Sequence, residues 1–203
     1  VPTSLQLYLL LVGLVAVERL VELRISARNT RRALAAGASE SGQAHFPAMA
    51  LLHAAFLACC CLEVVALQRP WPGAIGWSAL AGVLLAQAVR YWVVATLGPR
   101  WSVRVVTYPE GHPAGAPITT GPYRYLRHPN YLAVIVELVC LPLVHGAWGT
   151  ALLFSALNGG LLALRIRVEE KALGSRYRQR FDLLPRLLPR WARPGGGDGP
   201  EDP

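Results

Sequence analysis

Two short segments hold most of the side chains able to do chemistry. The first is Gly121-Pro122-Tyr123-Arg124-Tyr125-Leu126-Arg127-His128-Pro129-Asn130-Tyr131. Pro129 suits the first position of a helix, where a missing N–H costs nothing. A helix beginning there presents unpaired N–H groups and a positive dipole end, ready for a carboxylate or phosphate. The second is Arg165-Ile166-Arg167-Val168-Glu169-Glu170-Lys171-Ala172-Leu173. Arg165 and Glu169 are four residues apart and share one helix face. The spacing alone also fits a basic juxtamembrane helix with a surface ion pair, and the residues leave both readings open. No pair of His or Cys residues has a recognised metal-ligand spacing, so no metal site is expected.

The elements that must position these residues are greasy. The chain of 203 residues is 53% hydrophobic and 16% charged, with a mean hydropathy of +0.35. Soluble domains carry about 25% charged residues, so the chain lacks the charge to cover a water-facing surface. Runs long enough to cross a bilayer lie at Leu5 to Leu23, Phe46 to Leu67 and Ala74 to Leu97. The stretch from Tyr131 to Leu164 is too long for one crossing and breaks near Pro142 and at His145-Gly146-Ala147-Trp148-Gly149. It predicts two short helices in a hairpin. The expected fold is therefore an all-α integral membrane protein of about five transmembrane helices. The first span reads as a retained helix rather than a secretory signal, because it lacks a basic leading region and a cleavage site. Cys59, Cys60, Cys61 and Cys140 fall in the spans, where small apolar packing is the expected role and a disulfide scaffold is not.

The charge then becomes a topology. Lys and Arg number 20 against 12 Asp and Glu, a net +8. Seventeen of the basic residues follow spans one, three and five: Arg24 to Arg32, Arg100 to Arg127, and Arg165 to Arg193. The positive-inside rule puts those loops in the cytoplasm, with the amino terminus outside and the carboxyl terminus inside. A nucleic-acid partner is not expected; membrane lipids are. The segment from Gly98 to Asn130 is then a cytoplasmic loop, and loops of that length are functional or disordered. Its Trp101, Tyr108, Tyr123 and Tyr125 favour order. From Ala172 to Trp191 basic and apolar residues alternate, as in an amphipathic helix on an anionic leaflet. Ionisable residues inside spans are functional candidates by default: Glu63, Arg90 and Glu137, with Arg90 expected to pair with Glu63 or Glu137. His53 reads as a hydrogen-bonded core residue. Glu18, Glu22 and Arg28 read either as an ion network at the site or as an exposed helix end.

The two segments together carry a resemblance. Gly-Pro-Tyr, then Arg-His-Pro-x-Tyr, then a helical hairpin and Arg-x-x-x-Glu-Glu resemble the isoprenylcysteine carboxyl methyltransferase family of membrane enzymes. The likeness covers roughly 98 to 184. The amino-terminal half, with Glu18-Arg19-Leu20-Val21-Glu22-Leu23, Arg28-Asn29 and His45-Phe46-Pro47, is similar to a bacterial branch that methylates alkylpyrones or alkylresorcinols. The resemblance divides the chain into transmembrane helices at 1–97, a catalytic region at 98–191 and a disordered tail at 192–203. It implies S-adenosylmethionine as methyl donor. Carried over, Ile118, Tyr123, His128, Pro129, Asn130, Tyr131 and Glu169 bind the cofactor, and Arg165 faces the methyl acceptor. Tyr125 and Asn130 fall where the family is variable. The eukaryotic members have about eight spans rather than five, so their extra helices cannot shape this acceptor site.

The implied chemistry suits the residues. The helix start at Pro129 could meet the carboxylate of S-adenosylmethionine, Glu169 its ribose hydroxyls or ammonium, and Tyr123 and Tyr131 its sulfonium. A soluble Rossmann methyltransferase needs a strand-borne glycine motif, which is lacking. Methyl transfer is an in-line displacement, for which positioning supplies much of the rate. The expected activity is O-methylation of a lipophilic acceptor: a long-chain alkylpyrone or alkylresorcinol, or a prenylcysteine-like carboxylate. An anionic acceptor suits Arg165, whereas a resorcinol would need a base such as Glu63 or Glu137. Nineteen Arg against one Lys suggest a bacterial inner membrane. The alternatives are phospholipid N-methylation, and a non-enzymatic scaffold or transport subunit.

Overall fold

A computed structural model describes residues 3–187 apart from 44, 110, 182 and 183; the expected tail at 192–203 lies outside them. Helix α1 spans Ser4–Ala35 and opens with a capping box. The Thr3 hydroxyl accepts from Gln6 N, and the Gln6 side chain accepts from Thr3 N at 2.8 Å, satisfying donors that a helix start leaves free. Helices α2 at His45–Ala66, α3 at Ala74–Leu97, α4 at Pro129–Leu143 and α5 at Trp148–Phe181 follow. Four helices are long and apolar enough to cross a membrane, and α4, at 15 residues, is the short fifth. The hairpin breaks where expected, between Leu143 and Trp148.

The interior is built from one stripe of each helix. Tyr8, Val12 and Val15 of α1 meet Phe56, Cys60 and Val64 of α2, Val83 of α3, Leu138 and Leu141 of α4, and Phe154 of α5. The opposite faces expose Leu10, Leu14, Leu51, Leu84 and Leu152. So much bare apolar surface suits acyl chains rather than water. Helix α4 packs closely on α3: a Cβ at Gly82 would come within 2.6 Å of the Cys140 sulfur.

The intramembrane charges find partners, though not those expected. Arg90 grips Glu22 of α1 through two hydrogen bonds of 2.6 Å, rather than Glu63 or Glu137. Arg19 binds Glu22, Gln87 and Glu137, and Gln87 donates to Glu18, so α1, α3 and α4 share one buried ionic network. Which residues face one another across these helices depends on their rotation, which the spacing along any one helix does not reveal. Glu63 pairs with Arg69 at 3.0 Å and accepts from the backbone N–H groups of Gly149 and Thr150. It caps the start of α5, where free N–H groups and the helix dipole welcome a carboxylate. Arg28 is exposed, and His53 hydrogen-bonds Met49 O within its own helix.

Two three-residue strands were not foreseen: β1 at Ser39–Ser41 and β2 at Val105–Thr107, paired antiparallel with Glu40 opposite Val106. Arg104, donating from Nη1 to both oxygens of Glu40 and lying over the Phe46 ring, fixes this pair to the start of α2.

Candidate active site

Ends of α1, α3 and α5 and the start of α4 gather at one end of the bundle, the end that carries the basic loops. There they enclose a cavity of about 420 Å³, within the usual range of about 300–1,000 Å³ for small-ligand sites. Helix α1 is long enough to reach it because its 32 residues rise about 48 Å.

One face of that helix clamps the loop after α3. Asn29 donates to Gly98 O and Trp101 O at 3.2 and 2.9 Å, and the Ser26 hydroxyl accepts from Val103 N at 3.0 Å. Trp101 is buried beneath the loop. At the other end of the loop, Gly121 adopts φ +56°, and a Cβ there would strike the Thr96 hydroxyl at 2.4 Å. Glycine is required by both conformation and space. The chain can then turn through Gly121–Arg124 and bring Tyr123 to the cavity wall. Burial, and secondarily the Glu169 carboxylate, push the Tyr123 phenol well above its ordinary range, so it remains a neutral hydroxyl.

The Pro129 and Glu169 segments meet here. The Tyr131 hydroxyl donates to Glu169 and accepts from Arg165 Nε at 2.7 Å. Arg165 also donates to Val103 O and toward the Met49 sulfur, and its guanidinium lies over the Tyr131 ring. The His128 ring stacks on Tyr131 with centroids 5.2 Å apart and hydrogen-bonds Glu170 at 3.2 Å. Ile118, Tyr123, His128, Asn130, Tyr131, Arg165 and Glu169 all border the cavity. Pro129 does not: it is fully buried at the first position of α4.

Several wall residues were not singled out from the sequence. Tyr177 and Phe181 follow the kink at Gly174 in α5 and border the cavity. Tyr177 donates to Arg127 O. The segment from Leu184 to Arg186 runs beside the motif, its carbonyls accepting from Arg127 Nε, Arg127 N and His128 N. Arg186 closes it with a bidentate bond to Glu170. The Glu-Glu doublet was the available signal: one carboxylate faces the cavity while its neighbour serves His128 and Arg186.

The wall suits S-adenosylmethionine. Asn130 Oδ1 and Trp101 Nε1 are buried without a hydrogen-bond partner among the described residues, and buried polar atoms are rarely left so. Both belong to cavity residues, one an acceptor and the other a donor. Glu169 adds a carboxylate, and Tyr123 and Tyr131 add aromatic rings. Among the described residues no cluster of His, Cys, Asp or Glu could hold a metal.

Residues 78–175 match the Isoprenylcysteine carboxyl methyltransferase (ICMT) family. The chain is 34% identical over 171 residues to the uncharacterized protein YpbQ of Bacillus subtilis, covering 82% of this chain and 96% of that one. It is 30% identical over 156 residues to an uncharacterized protein of Haemophilus influenzae, covering 76% and 88% respectively.

Proposed function

We propose, because the chain belongs to the isoprenylcysteine carboxyl methyltransferase family of membrane methyltransferases, that it moves a methyl group from S-adenosylmethionine to an oxygen of a lipophilic acceptor. The observation carrying this reading is the Arg165–Tyr131–Glu169 chain on the wall of a single cavity. When bound, S-adenosylmethionine supplies an electrophilic methyl on a sulfonium. Tyr123, His128, Asn130, Tyr131 and Glu169 hold it, with Ile118 alongside, and Pro129 sets the start of α4. Glu169 takes hydroxyl or ammonium groups, and Asn130 Oδ1 accepts a hydrogen bond that no described residue supplies.

Arg165 faces the acceptor. A guanidinium has five N–H groups, and those not given to Tyr131, Val103 and Met49 remain to orient an anionic oxygen. A hydroxypyrone enolate or a carboxylate needs no base. The acceptor is a long-chain alkylpyrone or alkylresorcinol, or a prenylcysteine-like carboxylate, entering from the bilayer of a bacterial inner membrane. The cavity faces the cytoplasm, a placement supported by the basic loops around it. Calorimetric titration of the protein in nanodiscs with S-adenosylmethionine tests the reading, and absence of binding refutes it. Labelled donor with total lipid then separates methylation at oxygen from methylation of phosphatidylethanolamine nitrogen.

A further inference from the structure

Four arginines border the cavity, and three are engaged by the protein itself. Arg104 Nη1 donates to both carboxylate oxygens of Glu40. Arg127 donates to Leu184 O at 2.7 Å. Arg165 holds Tyr131 and Val103. Arg100 differs. It closes the short turn Gly98–Arg100 at the end of α3 and makes no hydrogen bond or ion pair with any described residue.

Arg100 is exposed, but its backbone is held. Asn29 binds the carbonyls of Gly98 and Trp101 on either side of it, and buried Trp101 anchors the next residue. A guanidinium on a fixed backbone, with donors unused by the protein, is a ready fork for two oxygens. Glu169 is the one carboxylate on the cavity wall among the described residues, and it already accepts from Tyr131. The wall is therefore net positive.

We infer that Arg100 binds the oxyanion of a bound reactant, either the carboxylate of the methyl donor or the ionised oxygen of the acceptor. This rests on the methyl-transfer reading above. Arg165 orients the acceptor beside Tyr131, whereas Arg100 supplies the countercharge from the turn at the end of α3.

The test compares wild type, Arg100→Gln, Arg100→Lys and Arg124→Gln, all full chains in nanodiscs, with folding checked by thermal unfolding. Arg124 is the control: it lies over the Tyr125 ring and does not border the cavity. Each is titrated with S-adenosylhomocysteine and with methylthioadenosine, which lacks the amino-acid carboxylate. Each is also titrated with an undecyl hydroxypyrone and its uncharged O-methyl counterpart. If Arg100 holds the donor carboxylate, Arg100→Gln weakens S-adenosylhomocysteine about tenfold or more and leaves methylthioadenosine unchanged. If it holds the acceptor, the same loss falls on the hydroxypyrone alone. Arg100→Lys retains part of the affinity, and it carries the comparison if Arg100→Gln does not fold. The inference is overturned if Arg100→Gln binds every ligand as wild type does. It is equally overturned if its losses extend to the uncharged ligands or are matched by Arg124→Gln. Wild type that binds neither nucleoside refutes the methyltransferase reading itself, a separate result that removes this inference with it.

Discussion

Arg165 Nε donates to the Tyr131 hydroxyl at 2.7 Å, and the same hydroxyl donates onward to Glu169. One phenol thus fixes both a guanidinium and a carboxylate, joining α4 to α5 at the cavity wall. Tyr131→Phe keeps the ring and removes the link. Hydrogen bonds to charged groups contribute about 1.5–3 kcal/mol. The expected result in calorimetry is S-adenosylhomocysteine affinity lowered about tenfold, with Glu169→Gln at least as severe, and the unfolding temperature of Tyr131→Phe lowered by the same lost hydrogen bonds. Wild-type affinity in both variants would remove Tyr131 and Glu169 from the binding site.

The ionic network inside the membrane is a matter of stability. Arg19 serves Glu22 and Glu137 together, so Arg19→Ala strands the buried Glu137 carboxylate and leaves Glu22 to Arg90 alone. Breaking a buried pair costs about 3–5 kcal/mol, whereas replacing the whole pair with apolar groups of similar size is often neutral. Thermal unfolding in detergent should show a large loss for Arg19→Ala and a partial recovery in Arg19→Met combined with Glu137→Leu. Equal losses in the two would mean that the charges themselves, and not their pairing, are needed.

Gly82 and Cys140 form a tight contact between α3 and α4. Gly82→Ala forces a methyl against the sulfur and should lower the unfolding temperature. Adding Cys140→Ala opens room and should restore part of it. An unchanged unfolding temperature in Gly82→Ala would show the two helices to be farther apart.

Alkaline pH should weaken the fold through Tyr123. In the unfolded chain a tyrosine ionises near pH 10. Folded, burial and Glu169 hold the Tyr123 proton to higher pH. Above about pH 10 the folded state therefore binds more protons than the unfolded one, and stability falls as pH rises. Tyr123→Phe should make that decline shallower in denaturation curves taken between about pH 9.5 and 11.5. A slope identical to wild type would place Tyr123 in water.

The spans were legible because length and hydropathy are properties of each segment alone. Phe46 to Leu67 and Ala74 to Leu97 became His45–Ala66 and Ala74–Leu97, and the break around Gly146 fell in place. What a residue faces is a property of two segments. Arg90 therefore met Glu22 from a helix far away in the chain, and the strands Ser39–Ser41 and Val105–Thr107 were too short to leave a periodicity. The candidate site was legible where motif spacing carried it, at His128 to Tyr131 and at Arg165 to Glu169. It was illegible where the wall comes from backbone turns, as at Arg100, or from the kink at Gly174 that carries Tyr177 inward.

Helix α4 has only 15 residues and rises about 22 Å, against a hydrocarbon layer of about 30 Å. Its far end is tied to the other helices through the turn at Gly146 and the Glu63 cap of α5. With that end at one interface, His128 and Tyr131 stop short of the other, beneath the level where α3 and α5 emerge. On the reading proposed above, methyl transfer would take place at a depth set by α4. The proposed lipophilic acceptor would then reach the reacting position with its tail still among the lipids. Turnover of a lipid acceptor is then expected to change with the acyl-chain length of the bilayer around the protein.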